Sequence, residues 1–465
     1  MTATPSRIQV GIGIDVHPEP QPIEIVSGAL HVLILGDFGG SRPVAERTVI
    51  RLDVDGIDAA IAAVAPTLQL TLDPSEGPDT LRFRELDDFH PDRLLVLAPL
   101  LARLRELRAE VARSRPAAPV ESAQGHASLL DQIIDMEQPA APRASDDLDE
   151  FVRRAVRPVL SSELSSEQQA IVNKVDEAII ASLRVLLHDA RFQALEATWR
   201  GADFFLRRSA TGDASHIALT HLTAAELTTA VRNSEPAFRD VMLHHDGTPR
   251  WSLVICAHAY SSGDVGLLGE LAAFAMATRT PLLVAADSSL VGATTFASGA
   301  DVDEWDRASI TGWDALRRTP SARYLAVATP RFLLRVPYGA DTDSIDAMAF
   351  EEFGDGAIPH EHFLWGNPAY LAALVATQAV ERGEAARTHG TIGGLPFHTT
   401  KVDGLPEAKP CAEALMSQRT VMHVLELGLT PLVSEKDGDS VRVPRMQSIA
   451  LPSAPLVIQP IGAES

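Results

Sequence analysis

Cysteine is nearly missing from this chain: 465 residues hold two, Cys256 and Cys411. They lie far apart in unrelated contexts, which excludes a disulfide framework and a zinc-ligand pattern. They read as two reduced, buried thiols in a cytosolic protein. Basic charge is also short. Lys and Arg total 40 against 62 Asp and Glu, so the formal charge is 40 − 62 = −22. Sequence-independent nucleic-acid binding needs Lys and Arg against phosphates, so no nucleic-acid partner is expected. An acidic surface suits solubility or a basic partner face. No apolar run approaches the roughly 18 residues of a membrane span, so no membrane insertion is expected. The start, MTATPSRIQVGIGIDVHPEPQP, lacks the basic stretch and apolar core of a signal peptide. These absences together point to the cytoplasm.

Catalytic signatures are lacking too. GDFGGSRP follows an apolar run but has no Gly-Lys-Ser/Thr ending to reach phosphate and magnesium. Nor has it the G-x-G-x-x-G spacing of a dinucleotide turn; it reads as a structural turn. The close histidines are His244 with His245 and His360-Glu361-His362. Neither group sets His at i and i+4 beside a Glu, so both read as loop residues and not as metal ligands. There is no G-x-S-x-G elbow. TIGGLPFHTT offers Gly393, Gly394 and His398, which read as a tight turn with a hydrogen-bonded histidine. No stretch gathers acid, base and nucleophile. The chain is read as no enzyme, with no cofactor and no metal, and an unrecognised α/β enzyme is the remote alternative.

What the sequence does have is apolar patterning, with 46% hydrophobic residues and length for two to four domains. After an extended, Pro-rich start of about 23 residues, LHVLILGDFGGSRP reads as a buried strand, Leu30 to Leu35, entering a turn at Gly36 to Gly40. GIDAAIAAVAP is a helix stopped by Pro66. LQLTL and TLRFREL are short strands about a DPSEGPD turn. In DDFHPDRLLVLAPLLARLRELRAEVARSR, Asp88 is placed to accept from amides at a helix start, with Pro91 in the first turn. Leu94, Leu97, Leu101, Leu104 and Leu107 then form an apolar stripe. Residues 114 to 127 read as a linker, followed by a short apolar helix, SLLDQIIDM.

Beyond the linker, Ser165 and Gln168 form a capping-box pair. Ile171, Val175, Ile179, Leu183 and Leu186 give one apolar helix face. The helix is expected to break near His188 to Arg191 and resume through Trp199, on a face with Phe192 and Leu195. Arg200 and Gly201 are expected to turn the chain there, Arg200 as an ion-pair or carbonyl partner. WSLVICAHAY, PLLVAAD and RYLAVAT are strands. The helix GDVGLLGELAAFAMAT between the first two implies a βαβ crossover and a parallel pair. RFLLRVPYG reads as a strand ending in a Pro-Tyr-Gly turn. The fold class is α/β, with mixed sheets flanked by helices.

These blocks carry a resemblance. Phe192, Leu195, Trp199, Arg200 and Gly201 of FQALEATWRG, together with WDALRRTPSARYLAVATPRFLLRVPYG, resemble the large subunit of the bacterial type VI secretion contractile sheath, the TssC (VipB) family. In the second block the matching positions are Arg323, Tyr324, Pro330, Arg331, Arg335, Pro337 and Tyr338. FLWGNPAY (Trp365, Gly366, Asn367) and GGLPFHT (Gly393, Gly394, Pro396) follow in the family's order, as do ELGLTPL and QSI. The N-terminal part is similar to the small sheath subunit, TssB (VipA), through LILGDFGGSRP (Gly36, Asp37, Phe38), GIDAAIAAVAPTLQL and LRFRELDDFHPDRLLVLAPLLARLRELRAEV (Asp88, Phe89).

The resemblance implies both sheath subunits in one chain. Residues 1–113 would be small-subunit-like, 114–150 a linker with a short helix, and 151–465 large-subunit-like without the family's C-terminal region. It implies a contractile-sheath fold and structural motif positions. It also implies a helical polymer of this chain or with other sheath subunits, whose protomers exchange strands, around an inner tube of Hcp and on baseplate components. An AAA+ ATPase, ClpV, dismantles such sheaths, but no clear amphipathic N-terminal helix stands here for it to recognise. A non-polymerising paralogue that caps, initiates or regulates a sheath is the alternative.

Overall fold

The computed structural model describes residues 29–73, 77–113, 165–209, 215–297, 300–306, 311–354, 358–383, 389–402, 405–435 and 438–461. The expected extended start, the linker and the SLLDQIIDM helix lie outside them. In chain order the strands are β1 (Leu30–Gly36), β2 (Ile50–Leu52), β3 (Thr67–Leu70), β4 (Asp79–Arg82), β5 (Ser215–His221), β6 (Leu253–Tyr260), β7 (Leu282–Ala286) and β8 (Leu325–Thr329). Shorter ones follow: β9 (Phe332–Leu333), β10 (Trp365–Gly366), β11 (Gly390–Ile392), β12 (His398–Val402), β13 (Leu405–Lys409), β14 (Thr430–Pro431), β15 (Val433–Ser434) and β16 (Val441–Val443). The helices of the N-terminal part are α1 (Ile57–Val64), α2 (Pro91–Leu97) and α3 (Pro99–Arg113). Those beyond are α4 (Ser166–Leu187), α5 (Ala190–Arg208), α6 (Ala224–Arg232), α7 (Pro236–Met242), α8 (Val265–Thr278), α9 (Thr311–Arg317), α10 (Pro368–Glu381) and α11 (Gln418–Glu426).

Seven strands form the main sheet in the order β14-β8-β7-β6-β1-β5-β2, parallel except for the edge strand β2. β1, from the N-terminal part, sits inside it, paired in register with β5 from Leu30↔Ser215 to Gly36↔His221 and with β6 from Val32↔Leu253 to Leu35↔Cys256. Its continuous apolar run is what a strand covered on both faces requires. Val32 and Ile34 enter one core, with α1 to α5 and α10. Leu33 and Leu35 enter the other, with α6 to α9 and α11. Successive side chains point to opposite faces, so one strand serves both. β6, α8 and β7 form the expected parallel crossover.

α4 begins at the Ser165/Gln168 capping box, and its Val175, Ile179, Leu183 and Leu186 are buried. α3 packs along α4. Gln168 Nε2 donates to the Val111 carbonyl at 3.2 Å, and Arg108 pairs with Asp176.

Four sequence expectations are corrected. The Leu-rich stretch is two helices, because Pro99 has no amide to continue the ladder and starts α3 instead. Asp88 does not cap α2. It accepts from the Arg84 and Glu85 amides at 2.7 and 3.3 Å and holds the 3-10 turn Leu86–Phe89, while His90 Nδ1 caps α2 at Asp92. RFLLRVPYG contributes only two strand residues, Phe332–Leu333, since Arg335 beyond them turns into a buried ion network. Finally, α5 does not end at Trp199. Arg200 and Gly201 lie inside it, and it runs on to Arg208.

Candidate functional site

Four aromatic motif positions, Phe38, Phe89, Phe192 and Trp199, meet at one seam. Asp189 starts α5 by accepting from the Arg191 and Phe192 amides at 2.9 and 3.2 Å. The helical period then sets Phe192, Leu195 and Trp199 on its buried face. Trp199 Nε1 donates to the Phe38 carbonyl at 3.2 Å, and the two rings pack edge to face at 4.6 Å. Phe89 stacks on Phe83 at 4.3 Å and lies 5.9 Å from Phe192. The Phe38 amide donates to His221 Nδ1 at 3.0 Å. Phe38 and Phe89, from the N-terminal part, thus pack directly against residues 192 to 221.

Behind this seam is a buried ion network. Glu196 is 0% exposed and receives Arg200 at 2.7 Å and Arg335 at 3.1 Å. Arg335 also pairs with Glu352 at 2.7 Å, and its guanidinium lies 4.2 Å over the Tyr338 ring. Arg200 donates to the Tyr338 hydroxyl at 3.2 Å, and the Tyr338 amide donates to Glu352 at 2.8 Å. Two arginines and two glutamates cancel, which is how charge persists in a core. Burial alone would raise the Glu352 carboxyl. The Arg335 guanidinium, nearby His188 and the Tyr338 amide outweigh it and hold the group at about 2. Burial pushes the Tyr338 phenol up to about 12, against the pull of Arg335 and Arg200. Glu196 stands four residues before Arg200, a spacing that flags the pair in sequence. Glu352 carries no such local signal.

A cleft of about 1060 Å³ opens where β6, β7 and β8 end, floored by Ala257, Ala259, Ala285 and Ala286. Arg331 sits on its rim. It donates to Glu413 at 2.6 and 3.0 Å and to Glu361 at 3.1 Å. His360 meets Glu413 through Nε2 at 3.0 Å and Lys409 through Nδ1 at 3.1 Å, and stacks on Trp365. Those partners assign the neutral tautomer with hydrogen on Nε2. His360, Glu361 and Glu413 bring ligand atoms within 4.8 Å of one another. The residues nevertheless fit a cation poorly, because Arg331 already lies between the two carboxylates and Lys409 holds the other imidazole nitrogen. Burial raises the Glu413 carboxyl, but His360 and Arg331 hold it at about 2. The arrangement is a charge-compensated clamp.

The seam, the network and the clamp join residues far apart in the chain. A family model described as "EvpB/VC_A0108, tail sheath N-terminal domain" (VipB) matches residues 169–450, more than half of the chain. The chain belongs to this tail-sheath family. A second model, "Type VI secretion system, VipA, VC_A0107 or Hcp2", matches residues 2–141. The type VI secretion system sheath protein TssC1 of Pseudomonas aeruginosa is 27% identical over 362 residues, 72% of each chain.

The other sheath-motif positions have local duties. Gly201 lets α5 meet α10: a Cβ there would stand 2.5 Å from the Tyr370 ring. Asn367 caps α10 by accepting from Ala369 at 2.9 Å, and Gly366 leaves room for Leu334. Arg208 donates to the Gly393 and Gly394 carbonyls at 2.8 and 2.6 Å, and Gly394 has φ +65°. Pro396 follows, half-buried. Gly36 ends β1 against Ala257, and Asp37 accepts from the Gly39 amide at 3.1 Å. Pro330 lines the cleft, and Pro337 is buried beside Tyr338. Arg323 is exposed, and Tyr324 packs half-buried on the far core. Cys256 and Cys411 are buried free thiols. No helix among the described residues is long and apolar enough to cross a membrane.

Proposed function

We propose that this chain is a structural subunit of a type VI secretion tail sheath that polymerises around an inner tube of Hcp and contracts to propel it. The observation that carries the reading is that VipA and VipB models match successive parts of one chain, at 2–141 and 169–450. On this reading residues 1–113 are the small-subunit part, 114–150 the connection and 151–465 the large-subunit part. The motif positions are structural and the chain has no catalytic duty. It works in the bacterial cytoplasm, with itself or other sheath subunits and with baseplate components.

The physics suits a mechanical part. Heterologous contacts that do not close give a helical filament. Contraction is a repacking of rigid subunits from one set of contacts to another. A sheet covered on both faces and a charge-neutral buried lock supply that rigidity. Co-pelleting tests the reading: preformed inner tubes should carry the purified chain into the pellet in a saturable way. A chain that stays in the supernatant, whatever the tube concentration, contradicts it.

A further inference from the structure

A second charged site lies away from the seam and the cleft. Between the end of α10 and the edge strand β11 is a pocket of about 350 Å³, lined by Val375, Gln378, Arg382, His389, Thr391 and Arg442 among others, with no carboxylate among the described residues of its wall. Ser215, the first residue of β5, donates to Glu381 at 3.1 Å. The pocket therefore lies at the edge where the parallel strands begin, opposite the cleft. Arg442 stands across from Thr391 in the β11–β16 pair. Arg382 and Arg442 are exposed. The Arg382 side chain makes one long hydrogen bond, 3.4 Å to Gln378, and the Arg442 side chain has no hydrogen bond or ion pair among the described residues. The helix C-terminus favours a cation at Arg382 but gives no reason for Arg442. Most arginines near carboxylates here are paired with them, as at Arg47, Arg108 and Arg232. Two guanidiniums without an ion pair among the described residues, side by side in one pocket on a chain of charge −22, are therefore a recognition feature.

The complementary feature is on another surface. The loop after Tyr338 exposes Asp341 and Asp343, and neither has an ion pair among the described residues. No Lys or Arg occurs between Arg335 and Arg382. This loop is anchored beside α2, where Asp92 accepts from the Asp346 and Ala347 amides. Copies of so acidic a chain repel at long range, so contact between them must set local positive charge against negative.

We propose that the Arg382/Arg442 pocket receives Asp341 and Asp343 of a second copy of this chain. This rests on the sheath reading and names one of its contacts. Guanidinium meets carboxylate in paired hydrogen bonds, and joining two different surfaces gives a head-to-tail contact that propagates. Charge reversal tests it, with sedimentation velocity at low salt reading the contact and electron microscopy reading the sheath. Arg382→Glu with Arg442→Glu should weaken association about tenfold or more, as should Asp341→Arg with Asp343→Arg. All four together should restore it. Arg382→Gln with Arg442→Gln, which keeps bulk, should remove the salt sensitivity. Unchanged association in either reversal, failure of the combined chain to recover, or a wild-type chain that never associates overturns the contact. Tubes that persist in a one-sided reversal sink the contact and leave the sheath reading intact. Charge-swapped association without tubes does the opposite.

Discussion

Glu196 and Glu352 are each almost fully buried, and each is tolerated because Arg335 reaches both. Breaking such a pair leaves a buried charge without its partner. Arg335→Met should destabilise the chain by about 3–5 kcal/mol, read from denaturant melts; a loss below about 1 kcal/mol would mean the network is not a lock. Glu352, together with Glu413 of the clamp, sets an acid response. Glu352 and Glu413 are held at about 2 against an ordinary 4.5. Groups depressed in the folded state add stability that is complete above about 4.5 and lost as pH falls toward about 2. Melting temperature should therefore drop through that window, and less steeply in Glu352→Gln; identical slopes would contradict it. Gly201→Ala gives a third test. Helix propensity alone favours Ala by about 1 kcal/mol. The clash 2.5 Å from Tyr370 should outweigh it, for a net loss of about 1–2 kcal/mol. A stabilised variant would show that the ring yields freely.

At the scale of elements, the two parts share one sheet and one core. Leu101 of α3 is 0% exposed in the core that also holds Ile179 and Leu183 of α4. Leu101→Glu should cost about 4 kcal/mol and lower a single calorimetric transition for the whole chain. Two separate transitions, one unshifted, would show independent parts. Much of this was legible beforehand. α4 and α5 announce themselves by a capping box, a sustained apolar period and the break at Asp189, all local signals. β1 reads as a buried strand from its unbroken apolar run. Of the four corrections, the split at Pro99 and the turn held by Asp88 are local, and the brevity of β9 is decided at a distance. The brevity of β9 depends on where Arg335 finds Glu196 and Glu352. The duty of Asp88 depends on the 3-10 turn it closes. The sequence marks the motif residues as positions but does not mark their partners Glu196, Glu352, His221 and Glu413. Only Glu196, four residues from Arg200, left a trace in local spacing.

On the scale of the whole molecule, the main sheet carries a core on each face, and one of its interior strands, β1, comes from the part matched by the VipA model. A body so cross-tied transmits force without deforming, as the proposed sheath role requires. The clamp at Arg331 and the lock at Arg335 stiffen two corners of the same segment. The central claim is that such bodies polymerise around a tube. Negative-stain electron microscopy of the purified chain, with and without the inner tube protein, tests that most directly. Ordered hollow tubes, longer or more numerous when the inner tube is supplied, are the predicted result. Single particles in both samples, at concentrations where the inner tube itself is assembled, would contradict it.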